Sequence, residues 1–146
     1  MADKYFVDTG ILIYAHDRSQ ASNRIGSPKY ERARQLIEDL WTNGKGVLST
    51  QVLQELCVNL RRQVARPLPP DEIRELIRDY MSWEIVVNTS EAVIQALEIE
   101  IRYKTSFWDA LILQAAEQSG AAILYSEDLA AKQSYGPVQV INPLLG

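Results

Sequence analysis

The sequence predicts an α/β protein with a mostly parallel central sheet of about five strands, flanked by helices in a three-layer sandwich. Three observations lead there. Short runs of strand length, Tyr5–Val7, Gly46–Ser49, Glu84–Val87, Ala121–Tyr125 and Val138–Ile141, are separated by longer segments whose apolar residues recur every three or four positions. The run Ala121–Tyr125 is apolar throughout, as a strand covered on both faces must be. The chain has 146 residues and is 47% hydrophobic. At that length about 70% of the unfolded surface is buried, which suits a single domain over residues 1–146 without disulfide or structural metal.

Tyr5–Val7 is the first strand, and Asp8-Thr9-Gly10 turns the chain into the apolar segment Ile11–Ala15, placing Asp8 at the strand's carboxyl edge. Ser19–Ser27 reads as a loop. Ser27 before Pro28 is a helix start, because proline at the first helical position has a preset φ and needs no amide partner. Tyr30, Ala33, Leu36, Ile37, Leu40 and Trp41 then repeat at helical spacing until Asn43-Gly44. Gly46–Ser49 is the second strand. Val52, Leu53, Leu56, Cys57, Leu60 and Val64 give the next helix a continuous apolar face. Pro67, Pro69 and Pro70 interrupt it and introduce another, turned inward on Ile73, Leu76, Ile77, Tyr80 and Met81. Glu84–Val87 is a third strand, after which Ser90 caps a helix carrying Ala92, Val93, Ala96, Leu97 and Ile101. Ser106 caps the last helix, Phe107–Ser119, and Gly120 ends it. The last two strands follow, with the polar connection Glu127–Gly136 between them. Right-handed crossovers bring the βα turns to the carboxyl edge of such a sheet, where residues remote in sequence converge on one ligand.

Fifteen Lys and Arg against nineteen Asp and Glu give a formal charge of −4. This disfavours an extended coat on nucleic acid but is compatible with a local basic groove. The balance is uneven: residues 1–73 carry ten basic and nine acidic side chains, residues 74–146 five and ten. The single cysteine, Cys57, rules out an intrachain disulfide and reads as a small buried hydrophobe in a reducing compartment. The opening MADKYFVDTG has no apolar signal-peptide core, and no stretch approaches the roughly eighteen apolar residues of a membrane span. A cytoplasmic location with no membrane partner is therefore expected. Neither a Walker loop nor a dinucleotide fingerprint is found, which weakly favours hydrolysis over transfer to an organic acceptor.

Four acids carry the candidate chemistry: Asp8 after the first strand, Glu55 in a helix, Asp109 in the last helix and Asp128 just past a strand. Asp109 has Ile112 and Leu113 three and four residues on, and Asp8 has Val7 and Ile11 nearby, so both stand beside apolar surface where an unpaired carboxylate is costly. Gathered at a sheet edge, such oxygens repel one another until a hard divalent cation, Mg2+ or Mn2+, neutralises them. That ion would orient and activate water against a phosphate. Each acid also has an ordinary role open to it. Asp8 can cap the following helix, and Asp109 can close a Ser106-Phe107-Trp108-Asp109 capping box. Glu55 shares a polar stripe with Gln51, Asn59 and Arg62, and Asp128 can cap a turn at Leu129. Spacing alone leaves both readings standing.

The motifs Phe6-Val7-Asp8-Thr9, Gln54-Glu55-Leu56, Phe107-Trp108-Asp109-Ala110-Leu111-Ile112 and Tyr125-Ser126-Glu127-Asp128-Leu129 resemble, in order, those of the PIN-domain family. The resemblance spans nearly the whole chain and is strongest to the VapC-type ribonuclease toxins. It implies a PIN-like sandwich and a Mg2+- or Mn2+-dependent endoribonuclease, the toxin of a type II toxin–antitoxin system. Asp8, Glu55, Asp109 and Asp128 match the family's metal-binding acids, with Asp8 and Asp109 the leading direct ligands. Thr9 and Ser126 match hydroxyl positions that orient carboxylates or water. The resemblance also implies an RNA substrate, a cognate antitoxin protein and a homodimer. The family pattern has Asn after its first Asp-Thr pair, whereas this chain has Gly10, which offers only backbone groups. That departure and the negative charge keep open a nucleic-acid- or protein-binding module with weak or absent cleavage. A metal-dependent DNA nuclease fits the same acids.

Beyond the acids, Arg61, Arg62 and Arg66, and the pair Arg102 and Lys104, are candidates for phosphate contacts or ordinary solvated helix faces. His16 reads as a surface or loop histidine. Trp41, Trp83 and Trp108 read as core or interface residues more than as stacking platforms, with Trp108 bracing the helix that carries Asp109.

Overall fold

Each expected strand is present, and a sixth short one joins them, in the computed structural model, which describes residues 3–17, 28–62, 64–129 and 134–145. The strands are β1 (Tyr5–Val7), β2 (Gly46–Ser49), β3 (Glu84–Val86), β4 (Ile123–Tyr125), β5 (Ser134–Tyr135) and β6 (Val138–Ile141). The helices are α1 (Thr9–His16), α2 (Pro28–Asn43), α3 (Thr50–Arg62), α4 (Pro70–Tyr80), α5 (Ser90–Tyr103) and α6 (Phe107–Ser119). The sheet runs β3-β2-β1-β4-β6-β5, parallel throughout except for β5 against β6. The extra strand falls within the expected polar connection. Two residues are too few to show an apolar pattern, and β5 exists because Gly136, at φ 64°, turns it back onto β6.

The order explains the layers. From β1 the chain steps outward to β2 and β3, then returns across β1 to β4. Right-handed crossovers of opposite travel place α1 to α4 on one face and α5 and α6 on the other. In keeping with this, α1 packs on α2 and α3, α3 on α4, and α5 on α6, while α6 lies against β2, β3, β4 and β6. Phe6, Val7, Leu48, Leu124 and Val140 are wholly buried between these layers. Each such side chain contributes about 1.5–3 kcal/mol relative to exposure. Seven consecutive residues of α6, Ala110 to Ala116, are buried, so this helix is enclosed by the sheet on one side and α5 on the other. Gly46 is required where it stands: a Cβ there would lie 2.5 Å from the Trp83 ring, which packs edge-on against Tyr80 and Trp41 at 5.0 and 5.3 Å.

Several expected details change. Thr89, not Ser90, caps α5, its hydroxyl accepting from the Ala92 amide at 3.2 Å. Met81 follows the last turn of α4 and is exposed instead of inward, and Cys57 is half-buried. Val93, Leu97 and Ile101 of α5 face solvent. His16 belongs to α1, with Nε2 2.5 Å from the hydroxyl of the buried Tyr80. Trp83 is core, whereas Trp41 and Trp108 are 39% and 62% exposed. The Ser19–Ser27 loop and the Ser27 cap lie outside the described residues. Among the described residues no helix is long and apolar enough to cross a membrane.

Candidate functional site

Asp8 leaves β1 and caps α1. Its Oδ1 accepts from the Thr9 amide at 2.7 Å, and its Oδ2 accepts from the Ser126 hydroxyl at 2.9 Å. Ser126 follows β4, the strand beside β1, and its Oγ accepts in turn from the amides of Asp128 and Leu129 at 3.2 and 3.3 Å. One buried serine thus fastens the loop after β4 to the acid after β1. The Thr9 hydroxyl donates to Glu55 Oε1 at 2.8 Å, tying α1 to α3. Asp109 enters from the first turn of α6, where its amide is capped by Ser106 Oγ at 3.1 Å. The cap expected of Asp8 therefore exists alongside its place in the site, and of the Ser106–Asp109 box the serine's half is present. The Leu129 amide is held by Ser126 Oγ, and the residues that an Asp128 cap would reach lie outside the described residues.

All four carboxylates line one cleft of about 200 Å³, with Thr9, Gln51, Asn59 and Trp108 among its walls. Asp8 is buried, Glu55 and Asp109 are half-buried and Asp128 is exposed at the rim. The cleft opens at the carboxyl ends of β1 and β4, where the strand order reverses, which is where an open α/β sheet leaves a crevice. Ser126 is wholly buried behind Asp8.

Burial pushes the Asp8 carboxyl up to about 7, against the pull of the Ser126 hydroxyl and Thr9 amide, and repulsion from Asp128 and Glu55 adds to the rise. Asp109 is also raised, first by burial, with Ser106 opposing and Asp128 repelling. Among the described residues no three of these acids are drawn together as tightly as a coordination shell requires. The acidic donors are all oxygens, with no imidazole or thiol among the cleft-lining residues. This matches a hard cation such as Mg2+ or Mn2+.

None of the basic candidates lines this cleft. Arg61 borders a groove between α3 and α4 with Cys57, Ile73 and Ile77, and Arg102 borders a crevice between α5 and α6 with Glu98 and Glu117. Arg62, Arg66 and Lys104 are exposed and outside its lining. Two residues that the sequence placed only on a polar stripe belong to the site. Gln51 is 5% exposed and donates from Nε2 to the Trp108 carbonyl at 3.2 Å; Asn59 donates from Nδ2 to the Glu55 carbonyl at 2.7 Å. Their spacing of four around Glu55 was the available signal.

Fold and cleft define an α/β protein with a carboxylate pocket at its switch point. The PIN domain family model matches residues 5–135, and the chain belongs to the PIN domain family. No curated protein matches it. Among solved structures, VapC20 of Mycobacterium tuberculosis, described as a Sarcin-Ricin loop cleaving toxin, is 21% identical, with 86% of this chain and 90% of that one covered and a TM-score of 0.62. A chain of a toxin–antitoxin complex from Klebsiella pneumoniae is 17% identical over 96% and 98%, with a TM-score of 0.66. A chain of VapBC2 from Rickettsia felis, bound to a promoter DNA fragment, is 17% identical over 93% and 96%, with a TM-score of 0.63. At these identities the likeness is one of fold.

Proposed function

We propose that this chain is a Mg2+- or Mn2+-dependent endoribonuclease, folded as one domain over residues 1–146 and acting in the cytoplasm as the toxin of a type II toxin–antitoxin system. The observation that carries the reading is the convergence of Asp8, Glu55, Asp109 and Asp128 on one cleft. Asp8 and Asp109 would hold the ion directly, with Glu55 and Asp128 completing its surroundings directly or through water. A bound divalent ion supplies the Lewis acidity that polarises a scissile phosphate and lowers the pKa of an attacking water. The chain's own part is positioning. The Ser126 hydroxyl and Thr9 amide fix the two oxygens of Asp8, the Thr9 hydroxyl aims Glu55, and Ser106 anchors the turn that carries Asp109.

RNA as substrate is supported by family membership and by the description of VapC20; a cognate antitoxin is supported by the complexes in which the similar chains occur. A homodimer is supported by the exposed apolar stripe of Val93, Ile94, Leu97 and Ile101 on α5. The test is cleavage of defined tRNAs, other RNAs and DNA by wild type and Asp8→Asn, with and without Mg2+ or Mn2+. Metal-dependent RNA cleavage by wild type alone is expected. Tight RNA binding without cleavage would make the chain a binding module, and preferential DNA cleavage would change the substrate. Calorimetry of Mn2+ into wild type should show binding with proton release at about pH 7, and Asp8→Asn should lose at least tenfold in affinity.

A further inference from the structure

We propose that Trp108 is a base-stacking residue, receiving an unpaired nucleobase beside the phosphate bound at the four-acid cleft; this rests on the nuclease reading above. Tryptophan is the side chain with most to gain from burial, yet Trp108 is 62% exposed while the next residues of its helix, Ala110 to Ala116, are all enclosed. It stands in the first turn of α6, adjoins Asp109 and lines the cleft itself. Its position is held from two sides: the carbonyl accepts from the buried Gln51 amide at 3.2 Å, and the indole meets the Phe107 ring edge-on, with centroids 5.4 Å apart. An exposed aromatic on an anchored backbone is a platform that loses little freedom when a flat ligand covers it.

The rest of the cleft says what that ligand is. Among the described residues no Lys or Arg lines it, so none of them grips a nucleic-acid backbone by charge at the place where a phosphate must sit. Stacking supplies sequence-tolerant affinity there, since every base has a π-face, and it requires a base out of its helix. Gln51 adds a donor-seeking group: its Oε1 is buried with no hydrogen-bond partner among the described residues, on a side chain that lines the same cleft.

The experiment measures binding of a short fluorescent single-stranded RNA to Asp8→Asn protein carrying Trp108, Trp108→Ala, Trp108→Leu or Trp108→Phe. Metal-dependent cleavage is measured in the same series without the Asp8 change. Trp108→Ala should weaken binding and raise KM by about 5- to 150-fold, with kcat within about threefold of wild type. Phe should restore most of the loss and Leu should not, and a base-paired version of the RNA should be insensitive to all three. If wild type cleaves RNA but all four side chains bind alike, or Leu serves as well as Phe, stacking is overturned and the nuclease reading stands. If nothing is cleaved but the aromatic dependence of binding persists, the nuclease reading fails and stacking stands. A change of oligomeric state in Trp108→Ala, with RNA binding intact, would make the indole a protein contact and also overturn it.

Discussion

At Asp8 a carboxyl that is 6% exposed titrates at about 7 in the folded chain, against an ordinary value of 3.8. Between those values the folded protein holds a proton that the unfolded chain has released, so its contribution to stability falls as pH rises from about 4 to 7, by roughly 4 kcal/mol at most. His16 acts in the opposite sense. Burial lowers it from 6.5 to about 4, with Arg34 adding to the shift, so its contribution is lost as pH falls from 6.5 towards 4. The two slopes oppose each other over most of the acid range, and a single melting curve would hide both. In EDTA, the thermal midpoint of Asp8→Asn should therefore gain on wild type steadily from pH 4 to 7 and hold its lead above; a constant difference would mean that Asp8 ionises normally. Gly10, the residue after the Asp8-Thr9 pair, gives a simpler prediction. It lies in the first turn of α1, and a Cβ there meets nothing within 4 Å. Gly10→Ala should raise stability by about 0.4–1 kcal/mol, seen as a higher urea midpoint at unchanged slope, because it removes freedom from the unfolded chain without a clash.

The strands and helices differ in how openly the sequence declares them. β1, β2 and β6 have ends that agree with the structure; β1 and β2 are enclosed on both faces, whereas β6 alternates, with Gln139 exposed between the buried Val138 and Val140. β5 is invisible at two residues. The burial of α6 on all sides erases the periodicity that would say which way Trp108 points, and so the indole expected to brace the helix stands in solvent. Asp8 and Asp109 were legible because a strand edge and a helix start are places where a carboxylate beside apolar residues needs a reason; Glu55, mid-helix on a polar stripe, and Asp128 had ordinary readings that only the ordered family motifs outweighed. Gln51 was not legible, because a glutamine on a polar stripe reads as solvated until a neighbouring helix covers it. The glycine opening β2 was equally silent, and it makes the prediction at this scale. With Trp83 ring atoms 2.5 Å from where a Cβ would sit, Gly46→Ala must push apart a ring that Tyr80 and Trp41 hold on its other sides. A loss of about 1–3 kcal/mol in urea unfolding is expected; a neutral result would show that the aromatic cluster repacks freely.

Across the whole molecule, α5 is built against the usual sense of a surface helix. Toward α6 it presents the small residues Ala92 and Ala96, both buried, which let the two helices approach closely. Its large apolar residues Val93, Ile94, Leu97 and Ile101 point outward, at 42%, 52%, 46% and 79% exposure. In a chain that buried everything it could, the order would be reversed, so the stripe is better explained by a second surface than by the monomer's own core. Helical periodicity in the sequence announced this stripe without saying what it faces, because the same spacing serves a sheet and a partner alike. A second copy is a suitable cover, since a two-fold contact sets one apolar stripe against its own equivalent. Replacing both Leu97 and Ile101 by Glu should leave the far-UV circular dichroism unchanged, because neither side chain supports the core. It should also weaken self-association by roughly tenfold or more, converting a dimer to a monomer in sedimentation velocity at micromolar concentration. If wild type sediments as a dimer and the double variant does so equally well, the α5 face is not where the copies meet, and its exposed residues would await a different protein.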